Sequence, residues 1–219
     1  MRLLSSVIPL VACTLAGQTS NVPYNTFGDG QGPTFHIVQV EERCKGTHGS
    51  IRRVDFRNLD CGYSLKNGKY KRDEPDDHEE VSLDSFHYLP AFGSSRSDSA
   101  LVLLSSFEVA VSSSGEGIAE VFKLSGGQLR IIQTVRWDTH FDSRGAKNVY
   151  DPTMGTLVVH SAHYIPGDAH CCVSAMDTVT FKWNGTRFVE QDLKTELSGY
   201  GKSEGKTLPR TSTPPGARR

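Results

Sequence analysis

Three octets of this chain share one build: Tyr63-Ser64-Leu65-Lys66-Asn67-Gly68-Lys69-Tyr70, Phe122-Lys123-Leu124-Ser125-Gly126-Gly127-Gln128-Leu129 and Phe181-Lys182-Trp183-Asn184-Gly185-Thr186-Arg187-Phe188. In each, an aromatic residue opens a short run, Asn-Gly or Gly-Gly interrupts it, and an aromatic residue or Leu closes it. These dipeptides take up the positive φ angles of a two-residue reverse turn at little steric cost, so each octet predicts two antiparallel strands joined tightly. The octets suit a repeated blade-like unit, but ordinary antiparallel hairpins have the same texture, which is the simpler reading. The fold class that follows is mainly β: antiparallel sheets built from hairpins, as a meander or a sandwich, with little helix.

The segments between the octets fit that class. Residues 81–88, the run Ala100-Leu101-Val102-Leu103-Leu104 and the run Thr156-Leu157-Val158-Val159 are predicted as strands covered on both faces, hence central ones. Residues 125–137 continue the second hairpin, and residues 35–41 and 51–56 read as two further strands flanking the turn Lys45-Gly46-Thr47-His48-Gly49. No window sustains a 3.6-residue apolar period; residues 190–197 form the one short segment that could turn helical. The acidic run Asp73-Glu74-Pro75-Asp76-Asp77-His78-Glu79-Glu80 matches no calcium loop and reads as a solvated connection.

The ends of the chain differ from its middle. Met1-Arg2 followed by the short apolar run to Leu15 falls well below the roughly 20 residues that span a bilayer, so residues 1–16 read as an export signal. Small residues near Ala16 suit a signal peptidase, and Leu10-Val11-Ala12-Cys13 also resembles a lipobox, which makes Cys13 the lipidation candidate. Residues 17–34 read as a flexible linker, 35–197 as a single β-rich domain, and 198–219 as a disordered basic tail with almost nothing apolar to bury. The formal net charge of -1 gives no pull toward nucleic acid, and no transmembrane helix is expected, only a lipid anchor at most. The expected location is outside the cytoplasm: periplasmic, envelope-anchored or extracellular. There, Cys44, Cys61, Cys171 and Cys172 are read as disulfides, in any of three pairings.

One cluster has the residue types of a zinc or copper site: His160-Ser161-Ala162-His163 with Asp168, His170, Cys171 and Cys172. Histidines three apart on a strand point to opposite faces, so they share an ion only if the strand ends between them. The expectation is therefore no metal and no cofactor, with His160, His163, Asp168 and His170 as the residues a metal would use. Adjacent cysteines can bridge each other or two distant partners; a local clip ahead of the last hairpin is the simpler role. Asp138 with His140, and Phe86-His87-Tyr88, suit an active site and equally a satisfied sheet surface. A phosphate-cradling Gly-rich loop and His-Glu-x-x-His are both absent from the sequence.

Val54-Asp55-Phe56-Arg57-Asn58, the Leu65 to Lys69 hairpin with Asn67-Gly68, the apolar strand at 100–104, and Asp168 through Cys171-Cys172 to Trp183-Asn184-Gly185 together resemble a group of exported bacterial proteins. The group includes the mycobacterial LppP/LprE-type lipoproteins, which share a Cys-Cys-Pro-Ser element ahead of a final hairpin. The resemblance covers most of residues 50–192. Two positions depart from it: Val173 stands in place of the proline, and residues 95–99 lack the Asp-Gly-rich turn, which removes a cation-binding loop. The resemblance implies a bond between Cys171 and Cys172, and with it one between Cys44 and Cys61; it implies no activity. The functional expectation is an exported, non-catalytic, monomeric envelope-associated or binding domain. The alternatives are a secreted hydrolase and a periplasmic metal-handling protein.

Overall fold

Ala100 to Leu104 divide their side chains between two cores. Ala100, Val102 and Leu104 pack with Ile51, Phe56, Ile118 and Phe122, whereas Leu101 and Leu103 pack with Leu157, Val159, Val179 and Phe181. The strand they form is covered on both faces, as its unbroken apolar run predicts. A computed structural model describes residues 32–33, 35–74, 77–91, 97–109, 113–139, 149–165, 168 and 173–197. The leader with Cys13, most of the linker, the 198–219 tail, His140, His170, Cys171 and Cys172 lie outside the described residues.

The strands in chain order are β1 (Gly32–Pro33), β2 (Phe35–Arg43), β3 (Asp60–Cys61), β4 (Tyr63–Ser64), β5 (Lys69–Glu74), β6 (Asp77–Tyr88), β7 (Ser99–Val109), β8 (Ser113–Ser125), β9 (Gln128–Asp138), β10 (Val149–Asp151), β11 (Thr156–Tyr164), β12 (Ala175–Trp183) and β13 (Phe188–Leu197). Strands β5 to β9 run as an antiparallel meander, and β2 adds beside β9 to complete a six-stranded sheet. A second antiparallel sheet has the order β1-β11-β12-β13, with β10 also paired to β11. The two sheets face each other across the core that holds Leu101, Val121, Val135, Trp137, Phe181 and Trp183. Residues 44–65, with the small β3–β4 hairpin, supply the side chains that cover the opposite face of the six-stranded sheet. This is the sandwich form of the expected antiparallel class, with a meander inside it. Among the described residues, no helix is long and apolar enough to cross a membrane.

Several local expectations are overturned. Residues 51–56 are not a strand: they hold two 3-10 turns, Ile51–Arg53 and Phe56–Asn58. Ser50 and Asp55 accept from the backbone N–H of Arg52 and Arg57, which offers the chain a local alternative to a sheet ladder. Residues 190–197 are strand, not helix: Leu193 pairs with Val179 and packs into the inter-sheet core, so tertiary burial overrides the local preference. Of the acidic run, Asp73 and Glu74 end β5 and residues 77–80 open β6, where Arg72 stands opposite Glu79 and Asp73 opposite His78. Of the run Thr156 to Val159 only Leu157 and Val159 are fully buried while Val158 is half-buried, and β6 leaves Phe86 exposed, so neither strand is covered on both faces throughout.

The three octets also diverge. Gly126-Gly127 makes the expected two-residue turn, with φ of 58° and 80° between the paired Ser125 and Gln128. Asn67-Gly68 turns with φ of 53° and 79°, but its flanks share only the Lys66–Lys69 bridge before β5 leaves to pair with β6. At the third, Asn184 Oδ1 accepts from Thr186 N, Thr186 Oγ1 and Arg187 N, widening the turn so that the return strand starts at Phe188 rather than Thr186.

Cys44 is bonded to Cys61 across a sequence separation of 17, one of the two bonds that the resemblance implies. Both sulfurs lie in the capping core. Replacing the pair with serine is expected to lower unfolding stability by about 3 kcal/mol on the chain-entropy account, read by urea denaturation under non-reducing conditions. At Gly117 the Trp137 indole lies across the backbone, and a Cβ there would stand 2.1 Å from Trp137 Cε2. Gly117→Ala is therefore expected to cost about 3 kcal/mol and to shift the tryptophan emission; an unchanged midpoint and spectrum would show the indole free to move aside.

Candidate functional site

The alternation of β11 carries Leu157, Val159, Ser161 and His163 on its inner face, and that of β12 carries Asp177, Val179 and Phe181. Toward one end of the second sheet these inward positions turn polar. Ser161 pairs with Asp177, and Asp177 in turn with Thr195 of β13. His163 Nδ1 lies 2.8 Å from Asp177 Oδ2, and Thr195 Oγ1 donates to Asp177 Oδ1 at 2.6 Å. Asp177 has no exposed surface, so its charge is supported by these two contacts. A carboxylate only accepts, so Nδ1 carries the hydrogen of this contact.

Beside this group the chain crosses between sheets. Pro33 pairs with His163, and two residues later Phe35 pairs with Trp137 of the six-stranded sheet. The β1 pairing takes in residues that the sequence assigns to the linker. Tyr164 Oη donates to Asp138 Oδ2 at 3.5 Å, bringing the end of β9 to the same edge.

The other cluster residues are placed apart. His160 lies on the outer face of β11, its Nδ1 3.1 Å from Thr178 Oγ1, so the two histidines face opposite ways. Asp168 accepts from the backbone N–H of Ile165 and of Ser174, each at 2.9 Å, and from the Ser174 hydroxyl, closing the bend between β11 and β12. Among the described residues no three His, Cys, Asp or Glu side chains are grouped to hold a metal ion. The His87 ring packs at a tilt against Tyr150, centroids 5.0 Å apart, and reaches Ser85 Oγ at 3.2 Å; burial pulls its pKa below the ordinary value.

Chemically, a buried carboxylate that fixes a histidine tautomer is the orienting half of an acyl-transfer triad. On the same strand, Ser161 Oγ donates to the Ala162 carbonyl at 3.5 Å. Asp177 and Thr195 are absent from the sequence-based candidates, although a charged residue at an inward position of the alternation Ala175-x-Asp177-x-Val179 is a readable signal. Gly201-Lys202-Ser203-Glu204-Gly205 also spells Gly-x-Ser-x-Gly. It lies outside the described residues, and the pattern marks a nucleophile only at a strand-to-helix turn of an α/β sheet. No family model, no curated protein and no solved structure matches this chain.

Asp177→Ala strands the His163 N–H and the Thr195 hydroxyl, and is expected to cost about 3 kcal/mol, against less than about 1 kcal/mol for His160→Ala on the outer face. Parallel urea titrations check the difference; equal costs would show that the inner network carries no special weight.

Proposed function

We propose that this chain is an exported bacterial domain that works by binding or association at the cell envelope, not by catalysis. The observation that carries the reading is the use to which the reactive-type side chains are put. Both Asp177 oxygens serve Thr195 and His163, Asp168 closes a bend, and His160 meets Thr178. The Cys44–Cys61 bond supports export, since such bonds persist in oxidising compartments. The leader and the resemblance to LppP/LprE-type lipoproteins support the same location. A metal-handling role draws less support, because His160 and His163 face opposite sides of β11. One observation favours a second reading: the Asp177-held His163 has the orientation of a general base, as in a secreted hydrolase.

Expression with the native leader in a bacterial host, followed by fractionation and intact-mass measurement, tests the proposal. The expected product sits in the envelope with its leader removed, either lipidated at Cys13 or cleaved after about Ala16. An unprocessed cytoplasmic chain with reduced cysteines overturns it. Hydrolysis of activated esters by wild-type and His163→Ala protein is expected to be equal; a wild-type rate that the variant loses moves the conclusion to the hydrolase.

A further inference from the structure

Glu120 stands in β8 between Ile118 and Phe122, both members of the capping core, and is 4 % exposed. Its strand partners are Val102 and Thr134. Over it lies Gly62, the apex of the β3–β4 hairpin at φ 62°, where a Cβ would meet Glu120 Oε1 at 3.6 Å, Ile131 Cδ1 at 3.5 Å and Glu42 Oε1 at 4.0 Å. Glu42 Oε1 in turn accepts from the Gly62 N–H at 2.8 Å, holding the hairpin to the sheet. Two carboxyl groups thus lie close to one hairpin tip. Arg136 and Glu42 act on Glu120 through charge.

The surrounding charged and titratable groups come from every neighbouring strand. Arg136 of β9 is held by Glu116 of β8 at 2.8 Å and reaches Tyr63 Oη at 3.3 Å. Tyr63, in the hairpin itself, is pushed up to about 12 by burial. Arg72 of β5 pairs with Glu79 of β6 at 3.4 Å, and Glu79 acts on Tyr63 through its charge. Strand β7 presents the apolar Val102.

We propose that the Gly62 hairpin is a pH-operated latch on the six-stranded sheet, seated while Glu120 carries a proton and loosened when Glu120 ionises beside Glu42. A neutral carboxyl is tolerated under the tip, whereas a carboxylate there is cut off from solvent and repels the carboxylate that holds Gly62. Burial, reinforced by Glu42 and opposed by Arg136, raises Glu120 from 4.5 to about 7. The folded state binds this proton more tightly than the unfolded chain does. Its stabilisation is therefore complete below the unfolded value of 4.5 and is lost as pH rises through about 7.

Amide hydrogen exchange over residues 59–66, corrected for intrinsic rates, tests the latch on the full chain at a series of pH values from 5 to 8. Wild-type protection is expected to fall about tenfold or more across the series, one pKa unit of differential binding being worth a factor of ten. In Glu120→Gln, neutral throughout, protection is expected to stay level. In Glu42→Gln, which keeps an acceptor for Gly62 N–H but removes the charge that helps raise Glu120, the midpoint of the fall is expected to move to lower pH and the fall to become shallower. A wild type without the fall, or a Glu120→Gln variant that falls equally, overturns the proposal. Should Glu120→Gln not fold, a Glu42→Gln profile identical to wild type overturns it.

Discussion

The side-chain amide of Gln133 ties the two sheets together. Its Nε2 donates to the Phe188 carbonyl at 2.9 Å, and its Oε1 accepts from the Phe188 N–H at 2.8 Å, all within the buried interior. The first residue of β13 directs both backbone groups away from β12 and toward the opposing sheet, where no strand can meet them. An amide has one donor side and one acceptor side, so it replaces the missing ladder partner. Around this point Trp183, Phe188 and Tyr150 pack against each other, Trp183 Nε1 donating to the Pro90 carbonyl at 3.0 Å. The amide fixes the start of β13, and the strand's ladder with β12 then carries Thr195 to Asp177.

The fold class was legible because turn chemistry and apolar runs agree with it. Gly126-Gly127 needs positive φ at both positions and receives it, and the run from Ala100 to Leu104 has no polar side to offer solvent. Errors arose where a short polar side chain redirected the backbone. Ser50 and Asp55 wind residues that β-propensity assigns to a strand, and Asn184 enlarges a turn that Asn-Gly was expected to make in two residues. Residues 190–197 are misleading in another way, since nothing local distinguishes a polar edge strand from a short helix until β12 lies alongside.

Less of the site was legible. Strand alternation separates His160 from His163 from sequence alone, and the structure places them so. The partner of each histidine comes from another strand, however, and cross-strand register cannot be read from one segment. Asp177 and Glu120 share a signature that could have been noticed: a carboxylate at an inward position of an apolar strand. What separates them is the neighbouring chain. Asp177 meets an imidazole and a hydroxyl, whereas Glu120 meets the Gly62 tip and a second carboxylate.

The outermost strands carry a consequence for how copies of this chain meet. A sheet edge offers unpaired backbone groups to any extended strand, the usual seed of runaway association. Here β5, at one margin of the six-stranded sheet, reads Lys69-Tyr70-Lys71-Arg72-Asp73-Glu74, and β13, at a margin of the second, exposes Glu190, Asp192, Lys194 and Glu196. A second copy aligning along either margin would bring desolvated charges together before it gained a ladder. The charges along residues 190–197 thus act as a guard against aggregation.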